Sequence, residues 1–344
     1  MALAEPRRVP MPVWAALARA LDPSAVDAAG LQQLVKANPE LFVVDPAGVS
    51  FRHEYLADRL QSTASAHSVS AVDTEIVDWL RAREEGIRHP RGWAESGPVG
   101  RYAAHGLAMH ASRDGQLPVI LDDGVALANI GQRELLDAAC ATSRHGVATT
   151  DTAAGDARHL WLCGVQPKDD QPVWAAWLHL THTARSRWDV VRGIEDSGIH
   201  LPWKTCWASW RPPGSVAPEL VEHGSVDTLM HVEHGGRPAV LAIGPSTDRQ
   251  AQIRDVRNGP LVASCWKGDI PESLSSHLTV PLGPDKQPLP DAARHATLRG
   301  TGGGEDGMRL CSLPIDDVRV YGGDSGLFAI TTNNGPHEDP LATS

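Results

Sequence analysis

The chain of 344 residues has no apolar run near the roughly 18 residues that a membrane-spanning helix requires. No membrane span is expected. Its first residues, MALAEPRRVPMPVWAALARALDP, carry prolines at 6, 10 and 12 and place Arg19 inside the only apolar patch. That pattern does not make a signal peptide. The five cysteines (140, 163, 206, 265, 311) are odd in number, scattered and without a CxxC pair. Neither a disulfide framework nor a zinc ribbon is indicated, and a reducing cytoplasm fits best. Excess positive charge is missing too. The net charge is −11, and from Glu219 onward 17 acidic residues face 10 basic ones. A surface of that sign repels phosphate backbones, so no nucleic acid is expected as a partner. Metal-ligand spacing is also lacking. His179 and His182 form one pair and His231, Glu233 and His234 one cluster, and neither extends to a further His or Cys ligand at a recognisable spacing. No metal or cofactor is expected.

Phenylalanine and tyrosine number only three each, and eleven tryptophans stand against them. Seven of these fall between Trp161 and Trp210, which places the heaviest packing demand there. The pattern reads as an α+β multidomain chain, helical first and β-rich after Gly214.

Residues 10–62 form the outline of a winged helix. VWAALARAL predicts a helix, and Asp27 caps a second over Ala28–Ala37. LFVV and VSF flank the turn DPAG as a hairpin, and a further helix follows from Arg52 to Gln61. The small polar run 62–70 reads as a linker. A helical connector over 70–143 follows, with Asp73 opening one helix and Gly115 ending another. Gly106 inside that second helix costs stability unless a neighbour packs closely against it. Residues 141–158, rich in Thr, Ala, Gly and Asp, read as a second linker.

A Trp-rich helical joint is predicted over 158–213. Trp174, Trp177, Thr181, Ala184, Trp188 and Val191 recur in steps of three and four, one stripe of a helix of about 20 residues. In LPWKTCWASWRPPG (201–214), Trp203, Trp207 and Trp210 stand at i, i+4 and i+7, also helical spacing. These six tryptophans are the candidate binding or interface residues, since indoles on one face need an opposing surface. Core burial is the competing reading. From 214 to 331 short apolar runs alternate with Gly, Asn, Asp and Pro, a β-meander with a last hairpin at DDVRVYGGDSGLFAIT. A tail, 332–344, is expected to be disordered.

Three stretches carry a family resemblance. FRHEYLADRL (51–60), YAAHGLAMHASRDGQLPVILDD (102–123), and LPWKTCWASWRPPG with GRPAVLAIGPSTDRQAQIRDVRNG follow one another in this order. The chain resembles the C-terminal portion of bacterial STAND-type (NACHT or AAA) signal-transduction ATPases, over most of residues 10–265. The resemblance implies a winged helix, a helical segment and an incomplete WD-type propeller in which Arg254–Asp255 replaces the usual Trp-Asp pair. It singles out Phe51, Arg52, His53, Glu54 and Asp58, where such ATPases carry a residue able to sense nucleotide phosphate. No G-x-x-x-x-G-K-[ST] is present, so the phosphate cradle of the ATPase core is missing, and His53 reads as a structural cap. At about 40–45 residues per blade, the β part amounts to three blades at most.

One motif points elsewhere. GGDSG places Ser325 in the sequence that surrounds protease nucleophiles, with His145 the nearest candidate base. The competing reading is a hairpin turn built from Gly and Asp. The expectation is therefore a cytoplasmic, non-enzymatic regulatory module that self-associates or holds a protein partner. Alternatives are a serine hydrolase using Ser325 and a DNA-binding regulator acting through the winged helix.

Overall fold

In the computed structural model the described residues are 1–22, 24, 27–143, 153–167, 170–212, 214–215, 225–226, 228–244, 250–266, 294–297, 309–323 and 325–332. They form helices followed by small antiparallel sheets, and among them there is neither a closed barrel nor a propeller. Two compact units are resolved. The first comprises Met1–Ala148, Lys168–Ala175 and Arg192–His200; the second comprises Thr149–Pro167, Ala176–Val191 and Leu201–Ser344.

The first unit begins with α1 (Met11–Leu21) and α2 (Ala28–Ala37), where the Asp27 side chain accepts from the Gly30 amide. Strands β1 (Phe42–Asp45) and β2 (Gly48–Phe51) form the hairpin. Asp45 accepts from the amides of Ala47 and Gly48, so the turn is held by its own carboxylate. Gly48 has φ +147°, and a Cβ there would lie 2.6 Å from the Val9 backbone. Only glycine lets Val9 bridge to Val49 as a short third strand. Trp14, Phe42 and Phe51 form a row with 5.6 Å between successive rings, Phe42 stacked on Phe51 and tilted against Trp14.

The expected linker at 62–70 is instead helix. α3 runs Glu54–Thr63 and α4 runs Ala66–Arg81, with Ser65 as N-cap accepting from the Ser68 amide. Serine reads as loop by composition, yet here it caps a helix whose Val72, Ile76, Val77 and Leu80 are buried. Asp73 does not open this helix. It is buried in its middle.

α5 (Pro98–Arg113) ends as predicted at Gly115, φ +74°, with the amides of Gly115 and Gln116 bonding back to Ser112 and Ala111. α6 (Leu117–Leu121), α7 (Gly124–Asn129) and α8 (Gln132–Thr142) complete the helical part, with α4 and α8 both packed on α5. Arg81 pairs with Asp123, the α7 cap, at 3.0 Å. Beside them burial pushes the Glu84 carboxyl up to about 7, with Asp123 adding to the shift.

Sequence and structure part company in the second unit. Residues 153–162, read as linker and joint, are helix α9 (Ala153–Leu162), buried over its first half and at Leu160 and exposed at Trp161 and Leu162. Residues 144–152 lie outside the described residues. The expected helix of about 20 residues is two, α10 (Gln171–Ala184) and α11 (Trp188–Glu195). α10 closes with Ser186 at φ +55°, while the amides of Ser186 and Arg187 bond to the carbonyls of Thr183 and His182. This is a glycine-type helix stop carried by a serine, so no glycine announces it. Trp188 consequently leaves the buried stripe and is half exposed.

The largest correction concerns 203–210, which is not a helix. Trp203–Trp210 is strand β3, paired antiparallel with β11 (Gly326–Thr332) in a five-stranded sheet. The sheet runs β3, β11, β10 (Val318–Gly323), β9 (Arg309–Ile315), β8 (Arg294–Thr297). Opposite Ala329 and Ile330 the register slips by one residue, leaving Cys206 as a bulge. Side chains alternate along a strand, so Trp203 and Trp210, seven apart, should point to opposite faces. The one-residue bulge restores both to the same face and sends Trp207 to the other. On the first face Trp177 meets Trp203 edge-on at 5.6 Å and Trp210 at 6.1 Å, and Trp210 packs on Phe328. The buried His179 ring accepts from the Thr205 amide at 3.4 Å.

On the second face Trp207 joins Val318, Val320, Leu327 and Ala329 in one core with Leu229, Val240 and Ala242. Those last three belong to the second sheet, the meander β4 (Thr228–His234), β5 (Arg237–Ile243), β6 (Gln250–Asp255), β7 (Leu261–Trp266). The Trp207 indole donates to the Val256 carbonyl at 2.8 Å. Gly259, φ +74°, lies flat on that indole; a Cβ would come within 2.4 Å of the ring. Asp255 accepts from the amides of Arg257 and Asn258, and Arg254 donates to the Gly259 carbonyl. The Arg-Asp pair thus shapes the turn that covers Trp207.

Asp156 on α9 anchors this unit. It is buried, accepts from Arg185 at 2.5 and 2.8 Å and from the Ser215 hydroxyl at 3.1 Å, and lies 3.6 Å from Arg211. Asp156→Ala would strand two buried guanidinium groups, and urea unfolding is expected to show a loss of about 3–5 kcal/mol. Glu84 gives a pH signature. Its folded pKa lies above the unfolded value, so its contribution is complete below the unfolded pKa and is lost as pH rises through about 7. Glu84→Gln should therefore gain melting temperature on wild type as pH rises through that range.

Candidate functional site

Five of the six candidate tryptophans, Trp174, Trp177, Trp203, Trp207 and Trp210, are buried inside the chain. Their surface is taken up by internal packing, and only Trp188 faces solvent. Trp203 and Trp210 pack on Trp177 and Phe328, and Trp207 packs in the core between the two sheets.

The corner Phe51–Asp58 is organised by Arg52. Its guanidinium donates to the Pro39 carbonyl at 2.9 and 3.3 Å, and its amide donates to the Leu41 carbonyl. Arg52 therefore ties the loop after α2 to the hairpin. Phe51 is the end of the ring row. His53 occupies the N-cap position of α3, but its side chain makes no capping hydrogen bond; Glu54 adds the favourable first-turn carboxylate. Asp58 pairs with Arg7 at 2.8 Å on the surface.

Ser325 sits in the tight turn between β10 and β11, where Gly323 pairs with Gly326. Its backbone carbonyl accepts from the Arg211 amide at 3.3 Å. His145 lies outside the described residues. The glycines of GGDSG have packing reasons: Gly326 has φ +113°, and a Cβ there would sit 2.1 Å from the Ser209 carbonyl oxygen of β3, while one at Gly322 would press on Val226. His179 and His182 are buried on α10, and His231, Glu233 and His234 are exposed on β4. Among the described residues no group of three or more His, Cys, Asp or Glu could hold a metal ion, and no helix is long and apolar enough to cross a membrane.

What the residue pattern did not single out is the outer surface of the hairpin and α3. Ala57 is the only buried residue of α3, and the helix leaves Tyr55 at 71% exposure and Leu60 at 50%. Val44 at the middle of β1 is 61% exposed, and Leu34 and Leu41 are exposed beside the hairpin in sequence. Leu56 is half-buried, so α3 covers little of itself and displays two of its three large apolar side chains. Near the hairpin turn a cleft of about 460 Å³ is lined by Arg8, Asp45, Pro46, Pro98 and Arg101, with Arg8 and Asp45 paired at 3.0 Å. The sequence carried no clear signal: Leu60 stands three residues after Ala57 on the same helix face and is exposed all the same.

No family model, curated protein or solved structure matches the chain.

The turn built by GGDSG has its own stability signature. Gly326→Ala should cost about 1–3 kcal/mol or more from backbone strain and the clash with Ser209. Ser325→Ala should stay within about 0.5 kcal/mol of wild type. Fluorophosphonate labelling that vanishes in Ser325→Ala would revive the hydrolase.

Proposed function

We propose that the chain is a cytoplasmic, non-enzymatic regulatory module that works by protein–protein contact. Its parts are those of the sensor regions of STAND-type ATPases: a winged-helix outline over 10–62, a helical connector, and WD-like β structure after 214. The observation that carries this reading is α3, which spends one alanine on the core and holds Tyr55 and Leu60 outward, next in sequence to a hairpin with Val44 exposed. Apolar side chains of that size cost free energy in water, about 25 cal/mol per Å² of exposed apolar area, and a partner surface recovers it. The net charge of −11 favours a protein partner over a nucleic acid. The resemblance to the STAND sensor regions supports the same class.

The purified 344-residue chain is expected to elute in multi-angle light scattering above its 36.8 kDa mass, through self-association or a retained partner. Tyr55→Ser with Leu60→Ser should return it to the monomer mass with an unchanged circular dichroism spectrum. A wild-type monomer that carries no partner would overturn the proposal.

A further inference from the structure

Beneath the first residues of the chain lies a buried polar group that no expected activity uses. His110 on α5 is fully buried, with its Nδ1 2.6 Å from Asp73 Oδ1 on α4 and its Nε2 2.9 Å from the Tyr102 hydroxyl. The backbone amide of Glu5 donates to the same Nε2 at 3.3 Å. Asp73 and Tyr102 are equally buried.

The Glu5 amide decides the protonation state. An amide N–H can only donate, so Nε2 must present a lone pair, and the ring proton is on Nδ1, directed at the Asp73 carboxylate. Burial, with Asp73 adding, pushes the Tyr102 phenol far up, so it stays an O–H and is a second donor to Nε2. The geometry around His110 thus fits the uncharged ring.

The segment carrying Glu5 is laid along α5. Leu3 and Ala4 are buried, and Glu5 pairs with Arg113, which also lies 3.8 Å from Asp73. Pro6 rests on Gly106: a Cβ at 106 would come 2.7 Å from the proline Cδ. This is the close neighbour that a mid-helix glycine calls for. Further along, Val9 is fixed by its bridge to Val49, so residues 3–6 are the part free to lift.

We infer that residues 3–6 are a strap latched to α5 by uncharged His110 and released when that ring is protonated. A proton on Nε2 turns the acceptor into a donor facing the Glu5 amide. Tyr102 can rotate its hydroxyl and accept; the amide has no such option. The His110–Asp73 contact survives protonation, so the change falls on the strap and leaves the helix pair joined. The charged and titratable groups beside the ring are Asp73 on α4, Tyr102 and Arg113 on α5, and Glu5 on the strap, and the Met1 amino group that begins this segment is buried and held down to about 6 by that burial. The inner face of α1, packed on α4, is apolar (Val13, Trp14, Leu17), and α8 directs Glu134 to His105 rather than to His110.

The test uses the full chain and two wild-type measurements. Nitrogen NMR of labelled histidine near pH 7.5 should find His110 with an unprotonated Nε2. Hydrogen exchange, corrected for intrinsic rate, should show the Glu5 amide losing protection by about tenfold as pH is lowered from 7.5 in the folded protein, in step with the His110 ring-nitrogen shifts rather than with the N-terminal amine. The amides of α4 and α5 should keep theirs. Gly106→Ala, which favours the helix, should lift Pro6 and remove Glu5 protection at both pH values. A protonated Nε2 near pH 7.5, or Glu5 protection that does not change with pH in a folded wild type, would overturn the inference.

Discussion

The second unit depends on a single extra residue. Cys206 bulges out of β3, and that bulge lets one short segment supply indoles to both faces of the five-stranded sheet. Without it, Trp210 would turn toward the inter-sheet core and Trp207 toward the helix that carries Trp177. Large rings are poor candidates for such an exchange, because each is fitted to a specific neighbour: Trp207 to the Val256 carbonyl and Gly259, Trp210 to Phe328 and Trp177. Close-packed interiors do not absorb a displaced indole, so the bulge fixes register for the whole sheet.

The first unit rests on a different constraint, the close approach of backbones. Gly48 admits Val9, Gly106 admits Pro6, and Gly193 lies against Gly124 with space for no Cβ. Each brings chain segments together that are distant in sequence. The N-terminal residues are held through two of these contacts, and so they form part of the helical core although they contain no regular element before α1.

α1, α2 and α5 were legible because their end signals are local. Asp27 and Gly115 act within a few residues of themselves. The hairpins were legible for the same reason, and so was the turn reading of GGDSG. The tryptophan strand was not. Spacing of four and then three satisfies a helix, and only the pairing with Gly326–Thr332, more than 100 residues away, reveals a strand with a bulge. Ser65 and Ser186 misled in another way, since each performs a helix-end task in a residue type that composition assigns to loops. The displayed side chains of α3 escaped notice because periodicity marks which residues are apolar and leaves open which of them are covered. The outline of helices followed by sheets was readable; which apolar side chains of α3 stay exposed was not.

The contact between His179 and Thr205 carries a consequence for how this molecule meets others. β3 is an outer strand, and an outer strand normally offers its amides to any extended chain that comes near. Here one of those amides is already taken by a ring from α10, and bulky Trp203 and Trp210 lie beneath that same helix. A growing fibril or a swapped strand would have to displace a helix before it could add to this edge. One amide of this edge is thereby satisfied from within the chain, which reduces what an added strand would gain there.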